Sequence, residues 1–257
     1  MISSIDLNAD LGEGYGPWTM GQDAALLAVV NSASIACGGH AGDPDTMFAT
    51  LAEARRRGVV VGAHPGYADL AGFGRRIIPM STGAIERMVA AQIGTLMGVA
   101  ALAGVAVGYV KPHGALANLA ADDADVAAAI ARAVRAVSRD LAVLAISGTA
   151  LEPAAREAGL AVYSEVFADR AYLPDGRLVP RSDPGAVLHD PGEVTARMLG
   201  FLKTGRMPVL GGGEIALSAQ SICVHGDGPG AVDLARGLKA ALVAEGITVM
   251  PFCKGKA

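Results

Sequence analysis

The sequence predicts an α/β fold: a single β/α barrel of the TIM type, with seven or eight strands, formed by residues 1–257. Three observations predict it. Short β-like runs alternate with Ala-rich helical stretches from end to end. The runs are continuously apolar, as strands of a parallel sheet covered by helices should be. Seven or eight such repeats fit within 257 residues, which favours closure into a barrel. An open doubly wound sheet is the alternative architecture.

The strand candidates, in order, are Ser4–Leu11, Ala33–Cys37, Val59–Ala63, Val105–Val110, Ala142–Ser147, Ala161–Phe167, Ile222–Val224 and Ile247–Phe252. Helical patterns lie between them at about 20–30, 44–57, 82–103, 123–138, 149–158, 191–204 and 230–245. Asp43-Pro44 and Asp190-Pro191 pair an N-cap with a proline at the first helical position. Asp122, Asp123 and Asp125 read as another helix start. Residues 88–110 carry no charge and are long enough to span a bilayer. Gln92, Thr95 and the stop at Gly104 instead make them a buried helix followed by a strand. Two segments leave the βα rhythm. Met207–Cys223 reads as a hairpin around Gly211, Gly212 and Gly213, and Asp169–His189 is a long connection rich in Pro, Gly and Arg.

Composition excludes several function classes. With 52% apolar and 18% charged residues the chain is globular, and a net charge of −4 argues against a nucleic-acid binder. Nothing basic and amphipathic suggests a membrane surface. Three cysteines without C-x-x-C spacing argue against a disulfide framework or a thiolate zinc site. The N-terminus meets Asp6 and Asp10 before any apolar run, so it does not read as a signal peptide, and a cytoplasmic setting is expected.

Polar residues concentrate where strands end. The first strand closes on Asp6, Asn8 and Asp10, followed by Glu13; the second runs into Cys37 and His40, and the third into His64. The fourth ends Lys111-Pro112-His113, the sixth Glu165, Phe167, Asp169 and Arg170, and the last His225-Gly226-Asp227. Asn8 and Asp10, Lys111 and His113, and His225 and Asp227 are each two apart, so each pair shares a strand face. Titratable groups at the carboxyl ends of parallel strands build the active-site mouth of a barrel. Four of the five histidines stand in such places. Cys37 and Cys223 lie in apolar strands and read first as small buried hydrophobes. Arg75 and Arg76 either bind a carboxylate or solvate a loop. His and Asp together can hold zinc or another divalent metal and activate water, or act without metal as general acid and base beside Lys111. H-E-x-x-H, G-x-S-x-G and the P-loop pattern are all absent. The residues alone indicate a hydrolase-like barrel acting on a small polar substrate.

Six blocks narrow this further: Leu7–Glu13, Ile35–Pro44, Gly62–Gly66, Val110–Leu116, Phe167–Tyr172 and Ile222–Asp227. In residues and order they resemble the LamB/YcsF family over nearly the whole chain. The resemblance implies a β/α barrel related to polysaccharide deacetylases. It also implies one component of an ATP-dependent 5-oxoprolinase, working with subunits B and C to open 5-oxo-L-proline to L-glutamate. On that reading Asp10, Lys111, His113 and His225 are catalytic, with Asp10, His113 or His225 activating water. Asn8, Glu13, His40, His64, Asp169, Arg170 and Asp227 bind substrate, Lys111 and Arg170 contacting phosphate or the substrate carboxylate. The Asp169–His189 loop, with Arg177 and Arg181, closes as a lid. ATP is the implied co-substrate, its site here, at a subunit interface or on a partner. The deacetylases' H-x-x-x-H motif is absent, because the fourth position after His40 is Pro44, so metal binding is not carried over. Two other readings are a self-sufficient metal-dependent amidase or deacetylase, and a non-catalytic substrate-binding subunit.

Overall fold

The structure is a computed structural model and describes residues 2–226, 228 and 230–254. In chain order its strands are β1 (Ser4–Leu11), β2 (Ser32–Ala36), β3 (Val60–His64), β4 (Val107–Val110), β5 (Ala142–Ile146), β6 (Val162–Phe167), β7 (Arg206–Pro208), β8 (Glu214–Ala216), β9 (Ser221–Val224) and β10 (Thr248–Val249). The helices are α1 (Asp23–Leu27), α2 (Pro44–Arg57), α3 (Thr82–Ala103), α4 (Gly114–Asp122), α5 (Ala124–Val137), α6 (Leu151–Glu157), α7 (Pro191–Thr204) and α8 (Ala231–Ala244).

Strands β1 to β6 pair in sequence, all parallel, and β9 pairs with both β6 and β1. The β1–β9 register, Asp6 opposite Ser221 through Ala9 opposite Val224, closes the ring at seven strands and excludes the open sheet. The predicted eighth strand shrinks to β10, which pairs only with Ser4 and Ile5 at the start of β1. Past it the chain turns under the barrel. Phe252 meets Tyr109 and Tyr163 there at ring centroid distances of 4.9 Å and plugs the bottom. Tyr109 lies so close across Gly62 that a Cβ there would stand 2.3 Å from its ring.

β1 shows how the sequence divides inside from outside. Ile5, Leu7, Ala9 and Leu11 point outward into the large apolar layer beneath the helices. Asp6, Asn8 and Asp10 alternate with them and face the interior, where all three are buried. The helices form the outer ring. By length and composition α3 could cross a membrane, but it lies against α2 and α5 and buries one face through Ile85, Val89, Ile93, Leu96 and Ala100. Its Gln92 is buried too, holding both the N–H and the carbonyl of Gly66.

The predicted caps form as expected: Asp43 accepts from the backbone of Asp45 and Thr46, and Asp190 from that of Glu193. Asp123 caps α5 in the same way. β7 and β8 make the hairpin, with Gly211, Gly212 and Gly213 all at positive φ. One helix went unforeseen. The residues of α4 follow directly on His113, and a glycine at its start and aspartates at its end disguise a pattern only nine residues long.

Candidate active site

The carboxyl ends of β1, β3, β4, β5, β6 and β9 converge on a cavity of about 350 Å³, lined by Asp10, Glu13, His64, Lys111, His113, Glu165, Arg170 and His225 among others. This lies near the lower bound of the range for small-molecule sites. Of the predicted residues, Asn8 and His40 sit just behind that lining, in contact with Lys111 and Glu13 respectively. Asp169 supports His225. Asp227 lies outside the described residues.

Lys111 is the centre of the polar interior. Its Nζ lies 2.9 Å from Asp10 Oδ1, 3.0 Å from Glu165 Oε2, 3.2 Å from Asn8 Oδ1 and 3.1 Å from Cys223 Sγ. Burial alone would discharge such a lysine. The charges of Asp10 and Glu165 overcome that and hold its ammonium well above the ordinary lysine range. Asp10 behaves reciprocally. Burial pushes its carboxyl up, but His64 and Lys111 outweigh burial and hold it well below the usual carboxylate range. A carboxylate held this way stabilises charge and makes a poor proton acceptor. Glu165, which Asn8 also contacts through its side-chain amide at 3.3 Å, is pushed up by burial despite Lys111.

Deeper in the barrel, Asp6 accepts from the hydroxyls of Ser32, at 2.8 Å, and Ser221. Burial pushes its carboxyl up to about 7 against those two hydrogen bonds. An unfolded Asp6 titrates near 3.8, so between pH 3.8 and about 7 the folded chain holds the extra proton. Stability should therefore fall as pH rises through that window, by about 1.4 kcal/mol per pH unit from this residue. Asp6→Asn copies the protonated form. Urea unfolding from pH 4 to 8 should show the variant matching the native chain at the acid end and exceeding it above pH 7. Parallel pH profiles would refute a raised Asp6.

On the opposite wall His225 Nδ1 meets both carboxylate oxygens of Asp169, at 2.8 and 2.9 Å. A carboxylate can only accept, so the proton sits on Nδ1 and Nε2 is left as the acceptor. The ring stacks on Phe167, with centroids 5.3 Å apart and planes 16° from parallel. Although burial pushes the Asp169 carboxyl up, His225 more than compensates and leaves it below its ordinary value.

The third group is a knot of imidazoles. His64 Nδ1 donates to the Lys111 carbonyl at 2.7 Å and His113 Nε2 to the Phe73 carbonyl at 2.9 Å. The remaining nitrogens, His64 Nε2 and His113 Nδ1, face each other at 2.9 Å. His40 stacks on His113 with centroids 3.6 Å apart, and its Nε2 lies 3.1 Å from Glu13 Oε1. Burial, reinforced by the neighbouring imidazoles, pushes His40 and His113 well below the ordinary histidine range, so both are neutral at neutral pH. Glu13, His40, His64 and His113 each bring one ligand-type atom within 4.8 Å of the others. Phe73 holds its carbonyl in place from a left-handed conformation, φ 53°, that a non-glycine residue adopts at a cost of about 1–2 kcal/mol.

The arginines divide. Arg170 is buried and lines the cavity, but its guanidinium also donates to the carbonyls of Val179 and Ala186, so it pins the long loop as well as facing the site. Burial lowers it to about 10, which leaves it charged. Arg181 lines the cavity beside Pro180 and Ser182, so the loop supplies one wall. Arg177 is turned away and pairs with Asp175 and Asp122 at the surface. Arg75 reaches the rim over the Phe73 ring, whereas Arg76 is held by Asp69. Cys37 and Cys223 are buried, and burial pushes the Cys37 thiol up to about 12 and the Cys223 thiol well above its ordinary value. Neither is a ready nucleophile.

Sequence patterns did not single out Glu165, Phe73 or Cys223 as functional, yet all three join the site. Glu165 was visible as an inward-facing residue at a strand end. Nothing local marked Phe73, whose backbone rather than its side chain makes the contact.

The family model described as LamB/YcsF matches residues 5–257. The chain belongs to the LamB/YcsF family. Among similar members, the 5-oxoprolinase A subunit of Rhodopseudomonas palustris (strain BisA53) is 52% identical over 255 residues, covering 99% of this chain and 100% of that protein. The 5-oxoprolinase A subunit of Paracidovorax citrulli is 53% identical over 248 residues, covering 96% and 99%. The crystal structure of the lactam utilization protein from Thermus thermophilus superposes with a TM-score of 0.90 at 42% identity, covering 96% of this chain and 99% of that one. The fold is thus shared with that protein along nearly its whole length.

Proposed function

We propose that this chain is the A-type component of an ATP-dependent 5-oxoprolinase and contributes the cavity in which the lactam of 5-oxo-L-proline is opened to L-glutamate. The observation that carries the reading is the end-to-end match, at about half identity, to relatives that bear the name of the 5-oxoprolinase A component. The site agrees in size and chemistry. A lactam is an unreactive amide, and phosphorylation of its oxygen makes the ring carbon electrophilic. Water then adds, losing its proton to His225 Nε2, and the C–N bond breaks as the nitrogen takes up a proton. The resulting acyl phosphate is hydrolysed by a second water to the carboxylate and inorganic phosphate. Lys111 stabilises the negative charge that develops at the reacting carbon. His225 is preferred over Asp10 and His113 as the base. Asp10 is committed to Lys111, and both His113 nitrogens are already engaged.

The cavity suits the lactam, and Arg75 and Arg181 supply charge for the phosphoryl group and the substrate carboxylate. The rest of the nucleotide belongs to the surface that the partner subunits B and C complete. A cytoplasmic setting accords with three free cysteines.

A self-sufficient, metal-dependent amide hydrolase is the second reading, favoured by the cluster of Glu13 and three histidines. Glutamate release from 5-oxoproline decides between the two. The chain is assayed alone and with subunits B and C, each with and without ATP. Release only with all three components and ATP is expected. ATP-independent release by the lone chain would replace the first reading with the second.

A further inference from the structure

We propose that Glu13, His40, His64 and His113 bind one divalent transition-metal ion of the zinc class at the barrel mouth. The geometry of two rings calls for a metal ion or a shared proton there. The carbonyls of Lys111 and Phe73 can only accept, so they fix a proton on His64 Nδ1 and another on His113 Nε2. The two nitrogens that then face each other at 2.9 Å both present lone pairs. Lone pairs repel at that distance unless something positive lies between them or beside them. Asp10 Oδ2, 3.4 Å from His64 Nε2, is a third acceptor facing the same point. Either a metal ion or a single proton on His64 Nε2, the charge that holds Asp10 down in the metal-free chain, satisfies the group, and the donor set around it favours the ion.

Glu13 Oε1 stands 3.6 Å from His113 Nδ1 and 3.1 Å from His40 Nε2. Ligands held at ~2.0–2.1 Å by a tetrahedral ion are about 3.3 Å from one another, so these separations already approach a coordination shell. Three imidazoles and a carboxylate are a zinc-class donor set, in contrast to the all-oxygen set that magnesium or calcium takes. Metal-bound histidines characteristically donate their second nitrogen to a carbonyl, and His64 and His113 both do so. Backbone packing locks the rings in place. A Cβ on Gly66 would lie 2.9 Å from His40 Nδ1, and one on Gly74 2.7 Å from His40 Cβ and 3.0 Å from His113 Cδ2. Glu13, His64 and His113 also line the cavity, so the open side of the ion faces water or a substrate oxygen. The four ligands come from the ends of four strands, which is why no short motif announces them.

The inference does not depend on the lactam reading, because its test contains neither substrate nor ATP. The full chain is stripped with chelator and dialysed against excess Zn²⁺, Mn²⁺ or Co²⁺, and bound metal is measured by plasma mass spectrometry. About one equivalent of Zn²⁺ is expected, together with Co²⁺ d–d absorption of an imidazole-ligated ion and a rise in melting temperature on Zn²⁺ addition. The stoichiometry should fall at least about tenfold in His64→Ala and in His113→Ala. The native chain supplies its own readout should either variant misfold. Failure of the native chain to take up any of the three ions would overturn the proposal and leave a trapped proton between the rings. Unchanged uptake and Co²⁺ spectrum in both variants would overturn it as well, by placing the metal elsewhere.

Discussion

Lys111→Met is expected to abolish glutamate formation by the assembled enzyme and to lower the stability of the chain by about 3–5 kcal/mol. The ammonium of Lys111 lies between the buried carboxylates of Asp10 and Glu165, at 2.9 and 3.0 Å. Removing it leaves two desolvated acids facing each other across a space filled by a thioether. Glu165 would respond by taking a proton, since burial already pushes it up. Asp10 would lose one of the two partners that keep it ionised. Arginine is no remedy, because its planar fork needs more room than the point charge it would replace. A second variant separates folding from chemistry. Lys111→Met combined with Glu165→Gln removes one of the stranded charges, so urea unfolding should regain part of the lost stability. Activity should stay absent, because the positive charge at the reacting centre is still missing. Activity above about a tenth of native in Lys111→Met would remove the lysine from the mechanism, since loss of one such electrostatic contact ordinarily costs on the order of 10²–10³ in rate.

The same residues show how far the sequence reaches. Alternation in β1 predicted that Asn8 and Asp10 share a face, and both contact Lys111. Polar residues at strand ends predicted a mouth, and five of the seven strands put one into the cavity, while His40 after β2 sits just behind the lining. These signals are local: a period of two, a cap, a glycine after a strand. What the sequence did not disclose is set by distance in the chain. Closure at seven strands depends on β9 meeting β1 more than two hundred residues away, and the apolar run after Ile247 looked equally suited to an eighth place. The metal-type cluster escaped for the same reason. A search for H-x-x-x-H spacing stops at Pro44, whereas His40 finds its neighbours on three other strand ends. Arg170 is instructive in another way. Its residue type and position suggested an anion binder, but its hydrogen bonds to Val179 and Ala186 give it a structural duty that only the folded loop reveals.

Asp169→Asn should lower kcat by about 10²–10⁴ while leaving the KM for 5-oxoproline and the unfolding midpoint nearly unchanged. The carboxylate of Asp169 keeps the His225 proton on Nδ1 through contacts of 2.8 and 2.9 Å, which leaves Nε2 free to accept from water. An asparagine amide can turn its N–H₂ toward Nδ1. The ring then carries its proton on Nε2, the wrong side for a base, although no atom need move. A purely structural Asp169 would show the opposite pattern, losing stability with little change in kcat. His225→Gln provides the matching arm. It keeps a hydrogen-bonding side chain beside Phe167 but has no basic nitrogen, so its kcat should fall at least as far as that of Asp169→Asn. The double variant should be little worse than His225→Gln alone, since the aspartate acts through the histidine. Additive losses in the double variant, or a kcat for Asp169→Asn within about threefold of native, would mean that water is activated elsewhere in the cavity. The cluster of Glu13, His40, His64 and His113 would then be the next place to look, because a metal ion there could supply the hydroxide that His225 otherwise generates.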